Sequence, residues 1–492
     1  MGRPPALPGE GSQAVTLEEA APDAPPRPAP PFRRSVPIII GCALFMELLD
    51  ATAVLTALPQ MAADFGEATV RMNLVVSLYL LAVALFVPVS GWAADRFGPR
   101  RVFLVAIGLF MASSLACAAS GSLLELSLAR LLQGASGAMM VPVGQMILLR
   151  WTARENLLRA MAFLTMPALI GPVLGPPLGG LLVTTLSWHW IFLINLPIGV
   201  LGIVLIRRQV PDYPGQPKAR LDGLGFLYSG VGLGCLVFGF EALGHRLLPG
   251  PLVAALLAGG LFSAALYVRH ARRIADPLID LRLLRIPTFS AAIWAGNLFR
   301  LGSASQPFLL VLLFQVGFGL SPLAAGLLTL ASGAGALTMK FLSVRIVQRL
   351  GFRRTLMGNA LASSLSIAAC AFFQVDTPYW VMVALLFGGG IIRSLQFSTL
   401  GALTYSDVPG ELTSRASSLS AMSMQLSMSV AVGLAAVLLS AIMALRGHVQ
   451  IQASDLSLTM LLCGLICASS WLLFRRLGEH AGAQVSGRRP QA

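Results

Sequence analysis

Apolar runs of roughly 20 residues, the length a helix needs to cross a bilayer core, recur fourteen times in this chain. They fall at 36–58, 73–94, 102–120, 123–149, 160–184, 187–206, 222–243, 250–268, 287–315, 321–343, 355–374, 378–404, 416–445 and 455–474. Inside hydrocarbon every backbone donor and acceptor must be satisfied by the protein itself, which leaves helices and closed barrels. Barrel strands would alternate polar and apolar at every second residue, and these runs do not, so helices are expected. Composition closes off the alternatives. Only 11% of the residues are charged and 56% are hydrophobic, against about 25% charged in a soluble domain. A water-soluble enzyme is excluded. The net charge of +14 would elsewhere suggest nucleic acid, but the basic residues sit in short clusters between apolar runs, so the expected partner is the lipid bilayer and no nucleic acid. The fold class is an all-α polytopic membrane protein.

Charge also orients the chain. With the N-terminus in the cytoplasm, 28 of the 35 Lys and Arg fall in cytoplasmic segments, and three (Arg71, Arg246 and Arg446) on the opposite face. That asymmetry is a strong positive-inside signal and predicts both termini on the cytoplasmic side. Residues 1–35 hold nine prolines and almost nothing to bury, and read as a disordered cytoplasmic tail. No signal peptide is expected, because the first apolar run begins only at Val36. The six cysteines lie inside apolar runs and read as small packing residues. Only Lys218 and Lys340 are lysines; the arginine preference hints at a GC-rich bacterium, hence a cell inner membrane.

A faint internal repeat divides the chain. After span 2 the sequence reads Gly91-Trp-Ala-Ala-Asp95-Arg96-Phe-Gly98-Pro99-Arg100-Arg101, and after span 10 Val344-Arg345-Ile-Val-Gln348-Arg349-Leu-Gly351-Phe-Arg353-Arg354, at an offset of 253. The spacing predicts a six-helix half at 36–206, two extra transmembrane helices with linkers at 207–286, a second six-helix half at 287–476 and a cytoplasmic tail at 477–492. Such duplication suits transporters that rock two halves about a midplane site. In the first copy Gly91 lets two helices approach closely, Gly98-Pro99 turns the chain, and Asp95 can accept from helix amides or an arginine. Arg96, Arg100 and Arg101 face the anionic leaflet. A plain topogenic loop would explain the arginines, but not Gly91, Asp95 and Gly98.

These residues resemble the inter-helix signature of the major facilitator superfamily. Leu128-Ala-Arg130-Leu-Leu-Gln133-Gly134 is similar to its fourth-span motif. Gly171-Pro172-Val-Leu-Gly175-Pro176-Pro-Leu-Gly179-Gly180 is similar to the fifth-span motif of its antiporters. Leu49-Asp50-Ala-Thr52-Ala-Val-Leu55-Thr-Ala57-Leu58-Pro59 and Trp188-His-Trp190-Ile-Phe-Leu-Ile-Asn195-Leu-Pro197 resemble the fourteen-span drug:proton antiporters of the EmrB/QacA type. Leu55 departs from that family, which usually carries Asn there. The resemblance implies the major facilitator fold, two six-helix halves plus two extra central helices, and a proton-driven export activity. In the fifth span, the glycines recur every four residues and make one small-residue face, while Pro172, Pro176 and Pro177 remove backbone bonds and are expected to bend the helix.

Charges inside spans are the best functional pointers, because an ion at the bilayer centre is costly. At 1.5 Å per residue Asp50 lies roughly 12 Å below the outer end of span 1, and Arg130 roughly 10 Å below the outer end of span 4. The matched depths predict an Asp50–Arg130 pair. Glu47 sits one turn deeper on the same face, and two neighbouring carboxylates resist ionising together. Two readings stand: Glu47 or Asp50 cycles a proton, or the group is a static ion pair that fixes helix register. Arg300 and Arg393, with Asn297 and Gln396, are candidates for a substrate cavity, although polar glue between helices is the commoner role for the two amides. The two arginines either attract an anionic or zwitterionic substrate, or bind backbone carbonyls or Glu47. Lys340 lies near the inner end of its span and is expected to snorkel.

No G-x-x-x-x-G-K-[ST] phosphate loop occurs, so the expected energy source is the proton gradient, with no cofactor and no metal. A membrane-embedded enzyme would need histidine ligands or a nucleophile with its base, yet all five His fall in or beside loops. No catalytic residue is therefore assigned. A permease subunit served by a separate ATPase fits the internal repeat poorly. The expected function is a proton-coupled exporter of small amphipathic compounds, acting as a monomer by alternating access. An exporter of one specific metabolite is the alternative.

Overall fold

The computed structural model describes residues 34–482 apart from 68, 213, 216–220, 246–247, 275 and 480. The tail expected at 1–35 lies outside the described residues except for Arg34 and Ser35. Within them the chain forms fourteen helical rods: α1 (Ser35–Phe65), α2 (Leu74–Phe97), α3 (Pro99–Ala118), α4 (Leu123–Trp151), α5 (Leu157–Thr185), α6 (His189–Gln209), α7 (Gly223–His245), α8 (Gly250–Ala271), α9 (Pro287–Gly317), α10 (Pro322–Leu350), α11 (Phe352–Cys370), α12 (Tyr379–Tyr405), α13 (Thr413–Arg446) and α14 (Ala453–Phe474). Thirteen of the helices are long and apolar enough to cross a membrane. The exception is α11, expected at 355–374. It opens with Arg353 and Arg354 and carries Asn359 and three serines. That polarity is spent on neighbouring helices: Asn359 donates to the Ile392 carbonyl at 2.7 Å and Ser364 to the Gly464 carbonyl at 2.6 Å.

Helix ends follow local chemistry. Ser122 and Ser321 cap α4 and α10 by accepting from Glu125 and Ala324 amides, as N-cap hydroxyls do. The stretch expected as a loop after span 2 is almost entirely helical. Gly91, Asp95 and Arg96 belong to the end of α2, and one residue, Gly98 at φ 88°, breaks the chain before Pro99 starts α3. Gly351, 253 residues later, does the same between α10 and α11 at φ 81°. A side chain resists this left-handed conformation, so the repeat is visible in the backbone as well as in the letters.

Each half packs by the same plan. In the first, α1 lies along α5, α2 along α4, and α3 against α4 and α6; in the second, α10 lies along α12, α11 against α12 and α14, and α9 against α13 and α14. The halves meet along two seams, α5 with α10 and α12, and α13 with α2 and α4. The two extra helices are not equivalent. α7 lies in the seam between α2 and α13, with Gly230 on Leu85, Gly234 on Leu81 and its Phe240 on Gly433. α8 leans on α7, where Gly260 meets Leu236.

Candidate functional site

Four helices of the first half bring polar groups to one dry point. Asp50 (α1) and Arg130 (α4) are both fully buried and pair at 2.5 Å through Oδ2 and Nη1. Gln133, one turn after Arg130, accepts from the same Nη1 at 2.7 Å and donates to Asp50 Oδ1 at 3.1 Å. Asn195, from α6, donates to Asp50 Oδ1 at 2.8 Å. Ser114, from α3, accepts from Gln133 at 2.8 Å and Asn195 at 3.2 Å. The Tyr79 ring lies 4.3 Å beneath the guanidinium, a cation–π contact strengthened by the burial of both groups. Asp50 thus has an ionic partner and two amide donors, the full support that a buried charge requires.

Glu47 sits one turn away in a different environment. It is 6% exposed, and its Oε2 has no hydrogen-bond partner. Its carboxyl and the Tyr79 hydroxyl lean over Gly137, where an added Cβ would lie 3.4 Å from Glu47 Oε1 and 3.2 Å from the hydroxyl. The missing side chain of Gly137 makes room for both groups.

The second half has buried cations instead. Arg300 (α9) donates to Asn297 Oδ1 at 3.2 Å, lies 5.9 Å from the Phe397 ring, and leaves its Nε without a partner. Asn297 exchanges hydrogen bonds with Ser423 of α13. Arg393 (α12) donates to Gln306 at 2.9 Å and Ser332 at 2.5 Å. Gln396 is fully buried, accepts from Asn359 at 3.1 Å and donates to the Leu356 carbonyl at 3.4 Å, so it joins α11 to α12 as polar glue. One expectation needs correction here. Lys340 does not snorkel. It is 4% exposed and its Nζ donates to Ser398 at 2.7 Å, because it points across to α12 rather than along its own helix to the interface.

The fifth-span glycines form a seam with α1. A Cβ on Gly171 would lie 3.0 Å from the Leu49 amide nitrogen, one on Gly175 would collide with the Thr52 hydroxyl, and one on Gly179 would lie 2.8 Å from the Ala53 carbonyl. Gly180 meets nothing within 4 Å and stands outside the seam. Pro172 is exposed, and the side chain of Pro176 lies outside the described residues. The helix runs unbroken from Leu157 to Thr185 through its prolines.

The segment around Asp95 joins the two halves on the face where the basic loops gather. Asp95 accepts from Arg150 at 3.1 Å and from the Ser414 hydroxyl of α13 at 2.5 Å. A Cβ on Gly91 would lie 2.6 Å from Ser418 Oγ, and Ser90 bonds Ser418 directly at 3.0 Å. Arg154 donates to the Ser406 and Val408 carbonyls, and Tyr405 to Gln145. Arg100 donates to the Arg207 carbonyl at 2.5 Å, Arg101 lies 3.6 Å from Asp212, and Arg96 is half-buried in the last turn of α2. Sequence reasoning missed Gln133 and Asn195 as partners of Asp50, although both stand in the quoted motifs, and Gln133 lies three residues from Arg130, on the same helix face.

Comparison with known proteins gives this geometry a family. The family model of the Major Facilitator Superfamily matches residues 40–273 and 292–491. A protein named as multidrug resistance protein MdtD from Cronobacter sakazakii is 41% identical over 449 residues, covering 90% of this chain and 94% of its own length. Its namesake from Escherichia coli K12 is 40% identical over 462 residues, covering 92% and 97%. Among solved structures, the human organic anion transporter TETRAN superposes with a TM-score of 0.65 at 17% identity, over 90% of this chain and 99% of its own. The proton:xylose symporter XylE superposes at 0.63 with 13% identity, over 91% and 96%. With a family model spanning most of its length and relatives matched nearly end to end, this chain belongs to the Major Facilitator Superfamily of membrane transporters.

Proposed function

We propose that the protein is a proton-coupled exporter of small amphipathic compounds, working by alternating access in the cell inner membrane as a monomer with both termini in the cytoplasm. The observation that carries this reading is the contrast between two carboxyls one helical turn apart. Asp50 is saturated by Arg130, Gln133 and Asn195, whereas Glu47 is buried with an unpartnered oxygen. A buried carboxyl without a cation is most stable with its proton on, and loses it when the site opens to water. Asp50 holds the ion pair that keeps α1 and α4 in register, and Glu47 carries the proton. Both readings of the cluster are then used, one by each residue. The bonds through Asp95, Ser90, Arg154 and Tyr405 hold the basic face shut, and their release would let the halves rock. Relatives named for multidrug resistance support amphipathic cargo.

The test uses proteoliposomes with an imposed pH gradient, a pH-sensitive dye inside, and a panel of lipophilic cations, anions and zwitterions. Wild type is expected to move protons when a substrate is added. Glu47→Gln is expected to remain monodisperse and lose that response. A variant that moves protons as wild type does would remove Glu47 from the mechanism.

A further inference from the structure

We propose that the second half holds a binding site for an anionic group, so that the exported compounds are organic anions rather than cations. The inference rests on the reading of the chain as an exporter and names its substrate class. The membrane-embedded part of α9–α14 contains Arg300, Lys340 and Arg393, while its acids stand at the edges: Asp376 between α11 and α12, Asp407 and Glu411 between α12 and α13, and Asp455 in the first turn of α14. Asp455 is already engaged by Arg446 at 3.2 Å and His448 at 2.9 Å. The three cations meet α12 at separate points: Arg393 stands on it, Arg300 lies 5.9 Å from the Phe397 ring, and Lys340 donates to Ser398. The partners that hold them are Asn297, Gln306, Ser332 and Ser398, none of which carries charge.

A buried charge is tolerated when it is paired, and strongly unfavourable when it is not. In the first half Arg130 has its carboxylate, although its Nη2 finds no partner; in the second, no carboxylate among the described residues pairs with the three cations. Arg300 keeps a buried Nε–H with nothing to receive it, in a side chain more than nine-tenths buried. A planar guanidinium with free donors matches a carboxylate, sulfonate or phosphate. An anionic substrate would supply the missing counter-charge, and a cationic one would add to the repulsion. Arg393, half-buried, is the first contact; Arg300 and Lys340 set the field behind it.

The test is binding without any gradient, so failure of proton coupling would leave it standing. Purified protein in phosphatidylcholine nanodiscs is titrated with three probes that share one aromatic body: 1-pyrenebutyrate, 1-pyrenebutanol and 4-(1-pyrenyl)butyltrimethylammonium. Fluorescence anisotropy should show pyrenebutyrate binding about tenfold or more tightly than either relative. Arg300→Gln/Arg393→Gln should abolish that preference, and Arg300→Lys/Arg393→Lys should restore part of it, which separates loss of charge from loss of fold. Equal or tighter binding of the ammonium probe would overturn the proposal, as would a preference that survives the double glutamine variant. A phosphatidylglycerol headgroup offers the same anion. If adding that lipid to the discs displaces pyrenebutyrate, the cluster is a lipid site and the assignment to solutes fails.

Discussion

The two halves share a helix plan and differ in what they do with buried charge. In the first, Arg130 and Asp50 pair, two amides and a serine join the shell, and Glu47 Oε2, Arg130 Nη2 and Asn195 Oδ1 are left without a hydrogen-bond partner. In the second, three cations rest on neutral amides and hydroxyls. A duplicated frame thus leaves each half free to specialise. Our reading gives the proton to the first half and the substrate's charge to the second, with coupling carried by the frame that both inherit.

Removing a cation from each half is the most direct way to break that contrast. Arg130→Met strands the Asp50 carboxylate and should cost about 3–5 kcal/mol, visible as loss of monodisperse protein on heating, whereas Asp50→Leu/Arg130→Met should recover most of it. Lys340→Met strands only the Ser398 hydroxyl, so it should lie within about 1 kcal/mol of wild type. A severe loss from Lys340→Met would mean that the second half conceals a counter-charge. Next come the seams. A Cβ on Gly390 would run into the Ser332 backbone, so Gly390→Ala should cost about 1–3 kcal/mol. Gly180→Ala, with open space around it, should gain up to about 1 kcal/mol. Smaller still is the join between halves: Ser414→Ala removes one donor from Asp95 and should shift the open fraction of the basic face by about fivefold, read by spin-label distances across it.

The smallest effect concerns Asp280, which ties the linker before α9 to Arg282 and, at 3.5 Å, to Arg415 beside Ser414. Burial pushes its carboxyl up, but hydrogen bonds and charge from Arg282 outweigh that and hold it below the usual carboxylate range. Its contribution is present above the ordinary carboxylate value and is lost only as pH falls through the lowered one. Acidifying from about pH 7 to 5 should leave the tie intact, and Asp280→Asn should cost the same small stability at both.

The spans were legible because apolarity and length are one-dimensional properties. α11 was the least apolar because its polar groups serve neighbours that sequence does not name. The Asp50–Arg130 pair could be anticipated from depth, since rise per residue converts position into height. Azimuth has no such conversion. Distance from the helix end therefore suggested an interfacial Lys340, whereas its direction around the axis sends it to Ser398. The same blindness left Gln133 and Asn195 without a role.

For a compound dissolved in the bilayer, the position of α7 is a matter of traffic. A twofold frame has two lateral doorways between its halves. One of them, between α2 and α13, is plugged by Leu85, Gly230, Phe240 and Gly433 interlocking along α7. The other seam carries no extra helix, and there Gly333 of α10 meets Val173 of α5. On the proposed reading as an exporter, a compound lodged against Val173 would block this seam without resembling any cargo.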